Sequence, residues 1–210
     1  MEKLKENNFK RQEFKFTLDK KSFLSLAKDK KLRKIYPSRT VNSVYFDTIN
    51  FNFFHDSEEG TVPRKKVRVR YYDLDYNNIS IENKFSHNYY RSKFSKKINF
   101  EDLSNSLVNR YSNSVSLIPT VKISYIRNYY ISELGRITLD SNIKCCRANF
   151  LIRSIKDNKV LKNKILKSKL VLELKTDNKC TKKKAIQFLG IRDIRVSKYS
   201  EAMKQLYFIY

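Results

Sequence analysis

The chain has 210 residues, with 45 Lys and Arg against 21 Asp and Glu, a formal net charge of +24. Its 40% hydrophobic content excludes a disordered basic tail and suffices for one domain, residues 1–210, with a real core. The longest stretch without a charged side chain, residues 111–121, falls far short of the roughly 20 apolar residues of a membrane span. The start, Met1-Glu2-Lys3-Leu4-Lys5, lacks the apolar segment of a secretory signal. Cys145, Cys146 and Cys180 form neither a disulfide framework nor a zinc spacing, so a cytoplasmic setting is expected. An excess of positive charge this large favours anionic partners. Nucleic acid, a membrane surface, nucleotides and polyphosphate all satisfy the total, so the distribution has to decide.

In chain order, alternation predicts a strand over residues 9–18, with Phe14, Phe16 and Leu18 opposite Glu13, Lys15 and Thr17. A helix follows over residues 20–32, with Asp19 as its N-cap. Strands are predicted over residues 40–48, 64–73, 77–86 and 90–100, the middle two joined by a short turn. A short helix at residues 101–107 precedes strands at 119–132, 134–144 and 169–176. Two helices close the chain, 182–189 stopped by Gly190 and 200–208. Eight strands with hairpin-sized connections predict an antiparallel α+β fold, and closure of the sheet would remove its edges.

Side chains alternate across a strand. One face of residues 64–73 carries Lys66, Arg68 and Arg70, and one face of 77–86 carries Ser80, Glu82 and Lys84. Tyr125 and Arg127 share a face with Ile123. Arg136, Thr138 and Asp140 oppose Ile137, Leu139 and Ile143, and Glu173 and Lys175 oppose Leu170, Leu172 and Leu174. For any single strand this is an ordinary half-exposed pattern. Repeated over several strands, with carboxylates among the bases, it describes a charged lumen. Its cations would grip phosphates and its few carboxylates a divalent metal.

These residues resemble the triphosphate tunnel metalloenzyme superfamily, and within it the VTC domain, the polyphosphate polymerase module. The resemblance runs through Arg11-Gln12-Glu13-Phe14-Lys15-Phe16, Val44-Tyr45-Phe46-Asp47-Thr48 and Lys66-Val67-Arg68-Val69-Arg70-Tyr71-Tyr72. It continues through Ile81-Glu82-Asn83-Lys84, Lys96-Lys97, Pro119-Thr120-Val121, Tyr125-Ile126-Arg127 and Arg136-Ile137-Thr138-Leu139-Asp140. Leu172-Glu173-Leu174-Lys175 and Ser197-Lys198-Tyr199-Ser200 complete it. Each motif alone is weak, but together they run in order over almost the whole chain.

The resemblance implies a closed antiparallel eight-stranded β tunnel with flanking helices. It implies catalytic roles for Arg68, Arg70, Lys84, Arg127 and Arg136. The same residues, with Lys15, Lys198, Tyr125 and Ser200, would bind the phosphates of ATP or polyphosphate. Lys96 matches the family's basic position while alternation turns Lys97 inward, and both stay open. Glu173 would hold Mn2+ or Mg2+, with Glu13 and Glu82 as further candidates. Asp140 is poised between orienting an arginine and assisting the metal, while Asp47 reads as a structural strand-end residue. His55 and His87 read as surface residues. Glu201 stands where eukaryotic members often have a second lysine, and Arg11 where the hydrolase branch has an acid.

Three function classes follow. The first is a polyphosphate polymerase and the second a metal-dependent triphosphatase. The third is a non-catalytic binder of polyanions or nucleic acid. Nucleic acid explains the net charge but not Glu13, Glu82 and Glu173 among the bases. Oligomeric state is not legible.

Overall fold

The computed structural model describes residues 12–30, 32–87, 91–114, 116–157, 161, 163–166, 169–176, 180–191 and 196–208. Arg11, the start of the first predicted strand and Tyr90 lie outside the described residues. β1 (Gln12–Leu18) leads into α1 (Lys20–Asp29), where Asp19 accepts the Ser22 amide at 2.7 Å and caps the helix. β2 (Arg33–Asp47) is followed by α2 (Asn52–Glu59). The hairpin of β3 (Arg64–Tyr72) and β4 (Asp75–Ser86) continues into β5 (Arg91–Ile98) and α3 (Asn105–Ser112). β6 (Ile118–Ser132) and β7 (Gly135–Arg147) make a second long hairpin. Then come α4 (Leu151–Lys156), a short β8 (Asn163–Lys164), β9 (Leu170–Thr176), α5 (Lys182–Leu189) and α6 (Lys198–Tyr207). Gly190 ends α5 in the left-handed conformation, φ 64°, as its residue type predicts. Among the described residues no helix is long and apolar enough to cross a membrane.

One antiparallel sheet runs β1-β9-β7-β6-β2-β3-β4-β5, with β8 beside β7. In a flat sheet β1 and β4, six spacings apart, would be separated by about 29 Å. Yet Glu13 and Lys15 of β1 interact electrostatically with Lys84 of β4, so the sheet is rolled. The expected closure is not met: among the described residues no ladder joins β1 to β5. The lysines Lys93, Lys96 and Lys97 on β5 give that edge a charge that discourages pairing.

Apolar side chains occupy three places. On the convex side, α1 and α5 cover Phe16, Ile137, Leu172 and Leu174 of β1, β7 and β9. Also on the convex side, α3 and α4 cover Val44, Val67, Val69, Ile79 and Ile81 of β2, β3 and β4. The third cluster lies on the concave face, where Tyr199, Ala202 and Met203 of α6 pack on Val41, Tyr45, Val121, Ile123 and Tyr125. This corrects the expectation of flanking helices throughout, because α6 sits inside the roll. The reason lies in the strands: the concave face is apolar along Val41, Val121, Ile123 and Cys145, and needs a cover there.

Candidate active site

The charged part of the concave face begins on the β2–β3–β4 ladder. Arg68 faces Glu82 and Tyr45 in register. Its Nε and Nη2 both donate to Glu82 Oε2, at 2.8 and 2.5 Å, and its Nη1 donates to the Tyr45 hydroxyl at 2.9 Å. Arg70 lies 3.5 Å from the same carboxylate and reaches the Tyr125 hydroxyl at 3.4 Å. Lys93, on β5, closes on the other Glu82 oxygen at 2.6 Å. Burial pushes the Glu82 pKa up, but Arg68, Arg70 and Lys93 outweigh it and hold the carboxyl well below the usual range. Tyr45 is also buried, yet Arg68 and Arg70 bring its phenol down to about 8.

Lys84 makes no hydrogen bond or ion pair among the described residues. Burial and the neighbouring Arg68 lower its ammonium to about 7. Lys66, one pair of residues before Arg68, donates to Ser197 Oγ at 2.9 Å, and burial lowers it to about 8.

A second group joins β6, β7 and α6. Arg127 binds both oxygens of Asp140, at 2.6 and 2.7 Å, and Lys198 meets the same carboxylate at 2.7 Å. The Tyr125 ring carries both cations, Arg127 at 5.3 Å and Lys198 at 4.8 Å from its centroid. Asp140, with 0% exposure, therefore orients two cations. Asp47 is structural as read: it accepts the Thr48, Phe53 and Phe54 amides and the Tyr199 hydroxyl.

A third group lies on β1 and β9, where Lys15 pairs in register with Glu173 and Glu13 with Lys175. Lys15 binds Glu13 at 3.1 Å, and Lys175 lies 2.9 Å from Glu173 and 3.9 Å from Glu13. Burial raises the Glu173 pKa, but Lys15, Lys175 and Arg127 hold it well below the usual range. Opposite Glu173 on β7 stands Thr138, whose buried hydroxyl has no hydrogen-bond partner among the described residues. Two ionised carboxylates beside an unsatisfied hydroxyl are hard oxygen donors of the kind Mg2+ and Mn2+ take. Among the described residues no group of three or more His, Cys, Asp or Glu side chains is gathered. The donor set fits a divalent cation whose remaining ligands come from a phosphate substrate. Glu13 and Glu173 are themselves paired with Lys15 and Lys175, but Glu82 fits least, because Arg68, Arg70 and Lys93 hold both its oxygens.

Of the expected residues, Lys15, Arg68, Arg70, Lys84, Tyr125, Arg127, Glu13 and Glu173 meet on the concave face, with Lys198 reaching it from α6. Lys97 shares the face of Ser80, its register partner. Lys96 lies on the convex face over the Tyr111 ring, because it pairs with Ile81. Arg136 is on the lumenal side but exposed, at a strand end opposite Lys175. Ser200 is not in the cluster. Its hydroxyl lies 3.5 Å from Ser57 on α2, since two helical residues turn through about 200° from Lys198. Lys66 and Thr138, which alternation had placed on the charged faces without a named role, join the cluster, and Lys93, Tyr45 and Ser197 are further members that the expected set lacked; Lys93 was readable from its even spacing to Lys97.

The family model of the VTC domain matches residues 10–207. No curated protein matches the chain. A candidate adenylate cyclase from Bacillus halodurans superposes with a TM-score of 0.57 at 11% identity, covering 94% of this chain and 98% of that one. A Pyrococcus horikoshii protein gives 0.55 at 11%, covering 90% and 98%. A candidate adenylyl cyclase from Hippeastrum, with a dominant triphosphatase activity, gives 0.53 at 12%, covering 92% and 95%. At such identities the likeness is one of fold. With the family model spanning every described strand, the chain belongs to the VTC-domain family of the triphosphate tunnel metalloenzyme superfamily.

Proposed function

We propose that the chain transfers the terminal phosphate of ATP onto a growing inorganic polyphosphate chain, with Mn2+ or Mg2+ as cofactor. The observation that carries this reading is the meeting of Arg68, Arg70, Lys84, Lys15, Arg127 and Lys198 on one concave face beside the Glu13–Glu173 pair. Membership of the VTC-domain family supports the choice of acceptor. Phosphoryl transfer needs positioning and charge stabilisation more than covalent help. Arg68 and Arg127 are held ready by Glu82 and Asp140, so they lose little freedom when phosphate arrives. An ionised terminal oxygen of the polymer attacks the γ-phosphorus. The bond from that phosphorus to the β–γ bridging oxygen breaks, and ADP leaves with the electron pair. The acceptor is already an anion, so no strong base is required. Glu13 and Glu173 would hold the metal, which when bound neutralises phosphate oxygens; Arg136 and Lys97 would meet the substrate at the edge of the face.

A triphosphatase is the second reading. Two adjacent carboxylates can also orient a water, and the Hippeastrum protein of the same fold is a triphosphatase. Incubation of the purified protein with ATP and Mn2+, followed by a gel stained for polyphosphate, separates the readings. ADP plus polymer is expected, and Glu173→Gln should abolish turnover while the fold persists. Free phosphate without polymer, even with a short polyphosphate primer, would assign the triphosphatase. No metal-dependent turnover at all would leave a polyanion binder.

A further inference from the structure

The β2–β6 ribbon extends past the phosphate cluster. From Arg33 to Arg39, β2 pairs with β6 and not with β3, and two register shifts flank Tyr36. Such irregularities re-aim side chains. Tyr36 is brought opposite Tyr129, and the rings meet edge to face at 5.9 Å. Tyr129 lies opposite Thr138 and so stands on the concave side. Arg39 is opposite Arg127, with its guanidinium 4.3 Å from the Tyr72 ring centroid and 3.6 Å from Asp73. A cross-strand tyrosine pair can simply brace a ribbon. Bracing does not account for Tyr36, which keeps 59% of its surface exposed on the part of the ribbon beyond Arg39 and Arg127.

We propose that Tyr36 and Tyr129, with Arg39, form a stacking platform for the purine base of the nucleotide. This rests on the reading that a triphosphate occupies the concave cluster. Tyr129 lies two residues beyond Arg127, about 7 Å along the strand, a separation of the same order as that of base and phosphates across a ribose. Two cations on this stretch of β2 are already engaged, Arg39 by Asp73 and Lys34 by Ser38, so what this stretch offers is aromatic stacking more than phosphate capture. Stacking reads a π-face and not a hydrogen-bonding edge, so adenine and guanine are accepted alike.

Calorimetric titration with a non-hydrolysable ATP analogue and with inorganic tripolyphosphate tests the platform. Tyr36→Ala and Tyr129→Leu should each weaken the analogue by about tenfold and leave tripolyphosphate unchanged. Tyr129→Phe, which keeps the ring, should bind the analogue like the parent, and a GTP analogue should lose as much as the ATP one. Unchanged analogue binding in both variants, or equal losses for the two ligands, overturns the platform alone. A parent that does not bind tripolyphosphate overturns the triphosphate reading as well.

Discussion

Glu82 and Lys84 stand two residues apart on one face of β4, yet their electrostatics differ in kind. Glu82 is surrounded by Arg68, Arg70 and Lys93 and is fixed as an anion. Lys84 faces Arg68 and Lys15 as well as Glu13 and Glu173, and burial with the neighbouring Arg68 leaves it at about 7. A phosphate prefers the charged form, so at neutral pH binding must draw a proton onto Lys84. The sign follows: as pH rises above about 7 the free protein loses this charge, and KM for nucleotide should climb, up to about tenfold per pH unit. Lys84→Arg keeps its charge and should flatten that slope. Equal pH profiles of KM in parent and variant would remove Lys84 from the linkage. The face that Arg68, Arg70, Glu82 and Lys84 share was legible in their alternation. Alternation also put Glu173 on a charged face, but that Lys15, Glu13 and Glu173 come close to Lys84 rested on the resemblance, since the roll of the sheet is not encoded in period-two spacing.

At the level of elements, α2 and α6 hang on one carboxylate. The N-cap residue of α2, Phe51, offers no side-chain acceptor, so the first amides of the helix turn to Asp47 at the end of β2, at 2.9 and 3.0 Å. The Tyr199 hydroxyl of α6 donates to the same group, and the Tyr199 ring stacks on Tyr45 at 5.1 Å. Tyr199→Phe should therefore cost about 1–2 kcal/mol in denaturant unfolding, and Asp47→Ala more, because it strands several buried amides. The looser α6 carries Ser197 and Lys198, so nucleotide affinity should drop in both variants. A Tyr199→Phe protein with parental stability would refute the tie. This arrangement explains why α2 escaped the sequence reading: its cap lies outside the helix's own first turn. The α3 helix was predicted at residues 101–107 but begins at Asn105, where Ser104 accepts the Leu107 amide at 3.2 Å. β2 starts at Arg33 and not at residue 40, because Pro37 and the two register shifts erase alternation there. The α6 helix itself was legible; its place inside the roll was not, since a helix of either location shows the same apolar spacing.

Over the whole molecule, 45 basic residues are opposed by only 21 acidic ones, a net charge of +24, and Glu82 and Asp140 beside the site are already held by its cations. Self-repulsion of this kind weakens the folded state at low salt, where charges still interact over tens of ångströms. The melting temperature of the ligand-free protein should rise as NaCl goes from about 50 to 500 mM, the range over which the Debye length shortens severalfold. Ligand binding must respond in the opposite sense. Tripolyphosphate at a hundredfold excess over its Kd stabilises the native state by about 2.7 kcal/mol. For a chain of this size that is a rise of about 5–10 °C. Salt screens the phosphate contacts, so at fixed tripolyphosphate the rise should shrink at the higher salt, while the ligand-free baseline moves up. Scanning calorimetry over a grid of salt and ligand reads both effects at once. A ligand-free melting temperature that falls with salt would mean that the favourable ion pairs, such as Arg127–Asp140 and Arg68–Glu82, outweigh the repulsion. A ligand-induced rise insensitive to salt would mean that the cluster does not hold its substrate by charge.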